Sequence, residues 1–435
     1  MPSLQQDKLA GRFDAAIRFF FYLLIFWLPY SIAVVETAVT ISIILWLVKR
    51  CLLNSWQEWR RLALKDKLSQ LWKTFRPAPS FLDYPILYFL IICAISASVS
   101  HLRLMSLHGL FTKILEWFAV YFLIIEVFKT EKQIWLAVGI LLFTTASTAI
   151  DSFVQFYITG KDIFLKNEIS RGGATAGFSH ANGLAGYLAG MVPLICSLLW
   201  LQHKEKKNFF LFVVILVLVM WSLILTLSRA AWTGVFGGIA VLLFFIKRRV
   251  GFWFTVTVLT LFISLYAFLP YRIFENSRLD WNYISDSANW RIGIWEDSLK
   301  MIQARPLLGH GPNTFMPLFQ NYRRMPSAPN IYNPTYAHNC YLQIWAEVGF
   351  LGGIGFLWML GNLLFYTKAA MDRARPGALN LSFLLIGLST GVVAFLIHSF
   401  FDTNFYSVQL SIYFWMLVAI MVSICHLIPS TKFSA

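Results

Sequence analysis

Two neighbouring stretches, Pro376–Phe401 (PGALNLSFLLIGLSTGVVAFLIHSFF) and Thr403–Thr431 (TNFYSVQLSIYFWMLVAIMVSICHLIPST), contain no Asp, Glu, Lys or Arg. About 20 consecutive apolar residues in a helix cross the hydrocarbon of a bilayer, so each stretch is long enough to span. Neither shows the alternation of a barrel strand. Backbone groups in lipid must be satisfied within the segment, which leaves helices. Working outward, the same reading applies to Gly172–His203, Asn208–Ser228 and Gly251–Tyr271, which are equally free of charge.

The whole composition agrees. A water-soluble chain cannot clothe its surface with 58% hydrophobic and 13% charged residues. The 40 Phe and 17 Trp suit lipid-facing surfaces and bilayer interfaces. The expected fold is an all-α polytopic membrane protein, a single integral membrane domain over residues 1–435. Its expected spans number about twelve: 17–32, 33–50, 83–101, 109–128, 133–156, 180–202, 208–228, 230–247, 250–270, 338–367, 378–400 and 404–428. The first apolar run, Phe19–Val35, follows Arg12 and Arg18, includes Pro29 and has no small-x-small cleavage site. It is read as an uncleaved first helix. Five scattered cysteines without a CxxC point to neither a disulfide framework nor a zinc site.

Basic residues set the expected orientation. With the N-terminus in the cytoplasm, most of the 36 Lys and Arg fall in short inside loops, as the positive-inside rule requires. Both termini are then cytoplasmic, and residues 271–337 form one large periplasmic loop. The net charge of +15 is accounted for by these loops lying against anionic headgroups. No nucleic-acid partner is needed. Residues 51–82 read as a cytoplasmic amphipathic segment, with Trp56, Trp59 and Trp72 among basic residues. Gly186-xxx-Gly190, Gly234-xxx-Gly238 and Gly349-xxx-Gly353 would let helices approach closely.

Charges at a membrane edge are costly, so the outer ones mark candidate chemistry. Arg229 stands between two apolar helices in LSRAAW; it is either a snorkelling anchor or a clamp whose planar fork matches phosphate oxygens. Arg171 precedes a glycine-rich stretch, Gly172–Gly183, that opens a helix, and helix N-termini favour anions. The outer loop sets arginines among aromatic residues. Within it, 287–304 has the period of an interfacial amphipathic helix, with Trp290, Ile294, Ser298 and Met301 on one face and Arg291 near its start. Arg305–Asn313, RPLLGHGPN, follows as a turn. His338 opens the next helix and is a candidate proton acceptor near neutral pH. The turn His398–Asn404, HSFFDTN, is a polar cluster that either orients substrate or ties loops together, with the tie the preferred reading, and Lys113 with Glu116 reads as a structural i,i+3 ion pair. D-x-D, Walker A and HExxH motifs are missing from the chain. A metal-dependent transferase, an ATP-driven pump and a zinc protease each lose their main support.

The order Ser228–Arg229, then Trp290–Arg291–Ile292, Pro306–Gly311 (PLLGHG), Ala337–Gln343 (AHNCYLQ) and Glu347–Val348–Gly349 resembles the O-antigen ligase family of bacterial envelope enzymes. The distinctive motifs occupy about residues 171–350. The resemblance implies a fold like the C-type membrane glycosyltransferases, with amphipathic helices in the periplasmic loop, in the bacterial inner membrane. It implies metal-independent, inverting transfer of a polysaccharide from undecaprenyl diphosphate to a sugar hydroxyl of lipid A–core, without a cofactor. His338 would then be the catalytic residue, and Arg229 and Arg291 would hold the donor diphosphate. Arg171 is added to them from its own setting. O-antigen polymerases and protein O-oligosaccharyltransferases share the motifs, and a transporter or flippase of lipid-linked sugars would use a similar surface without chemistry.

Overall fold

The computed structural model describes residues 4–53, 63–164, 166–169, 172–268, 281–323, 336–374 and 379–428, with side chains left aside at 4–5, 262–268 and 281–288. Arg171 therefore lies outside the described residues, as do Trp56, Trp59 and much of 271–337. The described chain is helical, apart from one isolated bridge between Lys161 and Glu168.

The helices run α1 Leu4–Trp27, α2 Ile32–Leu53, α3 Leu64–Phe75, α4 Asp83–Ser98 and α5 Arg103–Gly109. A π-turn, Leu110–Ile114, leads into α6 Leu115–Val127, and α7 Glu131–Val154 ends in a second π-turn, Gln155–Thr159. Then come α8 Ala181–Leu201, α9 Lys206–Thr226, α10 Arg229–Ile246, α11 Arg248–Phe268, α12 Trp281–Ala304 and the short α13 Phe315–Phe319. The chain closes with α14 Cys340–Arg373, α15 Leu379–His398 and α16 Val408–Leu427. Among the described residues, eight of these are long and apolar enough to cross a membrane: α2, α7, α8, α9, α10, α14, α15 and α16.

The two stretches quoted at the outset supply α15 and α16. Helix α16 is hydrophobic all round and is buried without interruption from Gln409 to Ile424, which makes it a central post. Helices α8, α10 and α15 pack together beside it. Small residues permit this: a side chain at Gly190 would strike Tyr413, and one at Gly238 would strike Ala394 and Pro193. Aromatic residues such as Phe210, Phe365 and Tyr84 stay exposed, as lipid-facing groups do.

At one end of the bundle, Lys49 bonds Asp14 at 2.5 Å and Glu126 at 3.0 Å, while Arg50 bonds Glu126 at 2.7 Å. This network joins α1, α2 and α6. Helix α3 has no buried residue and leaves Leu64, Leu68 and Trp72 exposed at helical spacing. The opposite end, where α15 stops and α14 starts, is the loop end.

Gly349 is not a mere packing glycine. It breaks α14 with φ 67° and ψ −171°, a region that only glycine occupies without strain. The break frees backbone groups, and the PLLGHG turn satisfies them. Phe350 N–H donates to the Pro306 carbonyl at 2.7 Å and Leu351 N–H to Leu307 at 3.2 Å. In return, His310 and Gly311 N–H groups donate to Ala346 and Glu347 at 3.0 and 2.7 Å. Two motifs far apart in sequence are thus halves of one joint.

The Lys113–Glu116 ion pair does not form. The π-turn at Leu110–Ile114 widens the helix there and takes Lys113 off the i,i+3 line. Its Nζ bonds Asn313 Oδ1 at 2.7 Å instead.

Candidate active site at the loop end

His338 does not open α14. The cap is Asn339, whose side chain accepts from Tyr341 and Leu342 N–H, both at 3.0 Å. His338 precedes the cap with φ 48°, the left-handed region that a non-glycine residue enters rarely. Its neighbours impose this. Ala337 N–H donates to Gln343 Oε1 at 3.0 Å, Trp295 Nε1 donates to the Ala337 carbonyl at 3.1 Å, and Cys340 N–H donates to Ser399 at 2.9 Å. The imidazole is therefore held between α12 and the turn after α15.

Three contacts define its surroundings. The Trp290 ring packs on the His338 ring with centroids 4.9 Å apart. Asp402 Oδ1 lies 3.5 Å from His338 Nδ1, which is ion-pair range but too long for a good hydrogen bond. His338 keeps 28% of its side-chain area exposed, so the ring closes one wall of the site and remains reachable. Burial alone would raise the Asp402 carboxyl, but His338 and the Thr403 N–H, which donates to it at 2.8 Å, hold it well below the usual carboxylate range.

Arg291 lies in the third turn of α12, not near its start, because that helix begins at Trp281. The face expected to be apolar is the buried one: Ile294, Ser298 and Met301 are inaccessible and Trp290 is half-buried. Arg291 is one residue on from the ring that covers His338, and its charge acts on the His398 imidazole at the end of α15. Its Nε is buried without a hydrogen-bond partner among the described residues.

Arg229 is the first residue of α10 and is half-buried. The two helices run antiparallel, because Gly234 of α10 faces Ala394 and His398 while Gly238 faces Thr390 and Ala394. At about 1.5 Å of rise per residue, Arg229 stands roughly 7.5 Å beyond Gly234 toward the loop end. The fold thus brings Arg229, Arg291 and His338 to the same end. The segment after Arg171 is there too, since Ala174 N–H donates to Leu225 at 2.9 Å at the close of α9.

Asp402 is the residue that sequence reasoning passed over. The tie between loops expected of HSFFDTN is present: Cys340 Sγ donates to the Asp402 carbonyl at 3.2 Å. The available signal was an acid placed between two charge-free spans, which is expensive unless paired.

Next to this centre lies a second polar cluster. Glu347 accepts from Asn313 N–H at 2.8 Å, Phe315 N–H at 3.3 Å and Tyr406 Oη at 3.1 Å. With Lys113 it borders a cavity of about 20 Å³, room for a water molecule. These bonds staple the turn to the α14 break. Among the described residues, no three His, Cys, Asp or Glu side chains converge on a metal position.

Residues 214–357 match the family described as O-antigen ligase. Arg229, Arg291 and His338 fall inside that span. A protein of Haemophilus influenzae, itself described as uncharacterized, is 24% identical over 181 residues, 38% of this chain and 45% of that protein. The match spans less than half the length of that relative. The resemblance read from the sequence is borne out over the matched residues, which are similar to that family, and the chain around them is that of a multi-pass helical membrane protein.

Proposed function

We propose that this chain, whose residues 214–357 match the O-antigen ligase family, is an inner-membrane ligase that moves a polysaccharide from undecaprenyl diphosphate to a sugar hydroxyl of lipid A–core. The observation that carries this reading is His338 set 3.5 Å from Asp402, with Trp290 over its ring and Arg291 next in sequence to that Trp. A base with a carboxylate behind it, at the end of the bundle where two arginines also stand, is what transfer from an anionic leaving group needs.

In the proposed step, His338 takes the proton of the acceptor hydroxyl as that oxygen attacks the anomeric carbon. The bond from that carbon to the diphosphate oxygen breaks, and its electron pair leaves with the diphosphate. Asp402, ionised at neutral pH, stabilises the imidazolium that forms, as a buried carboxylate does in an acid–histidine pair. Arg291 and Arg229 hold the diphosphate in a poorly solvated mouth, where their attraction exceeds its value in water. Arg171 is proposed as a further contact. A doubly charged diphosphate needs no acid to leave, and the step uses no metal.

The reading places about twelve spans in the membrane in the C-type glycosyltransferase manner, both termini in the cytoplasm and residues 271–337 in the periplasm. Residues 51–82 lie on the inner surface, where α3 turns its exposed Leu64, Leu68 and Trp72 to lipid. Purified protein reconstituted with lipid-linked polysaccharide and lipid A–core tests the function. A heavier lipid A conjugate supports it; relocation of donor without a conjugate means a transporter. Growth of the lipid-linked chain itself means a polymerase.

A further inference from the structure

His398, the last residue of α15, is fully buried. Its ring sits in a seat made by two glycines, since a side chain at Gly186 would meet its Nδ1 at 3.0 Å and one at Gly234 its Cβ at 3.5 Å. Asn404 Nδ2 lies 2.9 Å from Nδ1 and 2.8 Å from Ser399 Oγ.

The proton on this ring can be placed from its neighbours. Ser399 Oγ gives its single hydrogen to the Phe395 carbonyl at 2.8 Å, so it accepts from Asn404. The Asn404 group facing both partners is therefore the NH2, and His398 Nδ1 also accepts from it. A neutral imidazole that accepts at Nδ1 carries its hydrogen on Nε2. That Nε2 is buried and has no partner among the described residues. A buried donor left without an acceptor is costly, so this Nε2–H calls for one.

The surroundings indicate what kind. The ring feels both the Arg291 charge and the Asp402 carboxylate, so it lies near the proposed cation and near the acid that pairs with the proposed base. Arg291 Nε and Ser228 Oγ, the latter next to Arg229, are likewise buried without partners. Three unsatisfied groups able to donate, one of them cationic, match an anion with several oxygens.

We propose that His398 is a diphosphate-binding residue, fixed by Asn404 as a neutral Nε2–H donor to the oxygens that Arg291 neutralises. This deepens the proposed transfer and rests on its donor site. Being neutral and locked, His398 adds direction where arginine adds charge, and so it discriminates a diphosphate from a monophosphate.

Binding of farnesyl diphosphate, farnesyl phosphate and inorganic pyrophosphate to the purified full-length protein in nanodiscs tests this without requiring turnover. Gln places an amide where Nε2 stands; Asn places one where Nδ1 stands. His398→Ala and His398→Asn are expected to weaken farnesyl diphosphate by roughly tenfold to a hundredfold, the range for a bond to a charged group, while His398→Gln stays within about threefold. Farnesyl phosphate binding should change less, and pyrophosphate should follow the diphosphate more weakly. In turnover, His398→Ala should raise the donor KM more than it lowers kcat. Rescue by Asn but not Gln, or equal binding by all four proteins, overturns the assignment while leaving the ligase reading intact. Failure of the wild type to bind farnesyl diphosphate removes the donor site and this assignment together. Ligand-free melting of each variant separates misfolding from lost binding, and His398→Gln carries the test should His398→Ala not fold.

Discussion

His338 Nδ1 and Asp402 Oδ1 stand 3.5 Å apart although one precedes α14 and the other follows α15. The distance suits an ion pair that tightens once the imidazole gains a proton. In the proposed step the carboxylate faces the charge that the ring acquires.

Replacing His338 with Ala is expected to lower transfer by about 10² to 10⁴, the usual share of a general base. Asp402→Asn should lower kcat by at least tenfold, by about the cost of one charge-assisted interaction, with little change in donor KM. A drop of less than tenfold for His338→Ala removes it as the base. The check is conjugate formed per minute at saturating donor.

Arg291→Ala should sharply reduce transfer in protein that still folds, and Arg291→Lys should restore only part of it. A lysine supplies the charge as a point, without the planar fork that meets two phosphate oxygens. Unchanged activity in Arg291→Ala would take that residue out of the site.

Acid stability should report Asp402 directly. Its carboxyl is held below its unfolded value, so the stabilisation is complete above the unfolded pKa of about 4 and fades as pH falls through the folded value. The melting gap between wild type and Asp402→Asn, followed in detergent from about pH 7 to about pH 3, should be flat at first and then close. A gap that widens on acidification contradicts this.

His310 supplies the opposite kind of test. Burial pushes its pKa down, and nearby Arg305 and His101 add to this against the bond from its Nε2 to the Met301 carbonyl at 3.0 Å. The unfolded chain then takes up the proton more readily, so stability drops as pH falls below about 6.5. His310→Gln keeps a donor and does not titrate, and should flatten that part of the melting curve.

Gly349→Ala should destabilise the loop end by about 1–3 kcal/mol from backbone strain, with more from a collision with the Leu307 carbonyl. Limited proteolysis within 305–323 should become faster. A variant with unchanged melting and cleavage would mean that the α14 break is not needed to seat the turn.

What the sequence by itself determined was the set of helices and their chemistry. Bilayer crossing depends on the length and polarity of one continuous segment, so α8, α9, α15 and α16 were visible without knowing their neighbours. The face of α12 was visible for the same local reason, and so was the gathering of arginines outside the apolar runs. Tertiary structure alone decided which of those residues meet. His338 finds Asp402, Lys113 finds Asn313 in place of Glu116, and PLLGHG closes on the Gly349 break, because each contact joins segments distant in the chain. Local pattern fixes what a segment can be; which partner completes it is set by how whole helices pack.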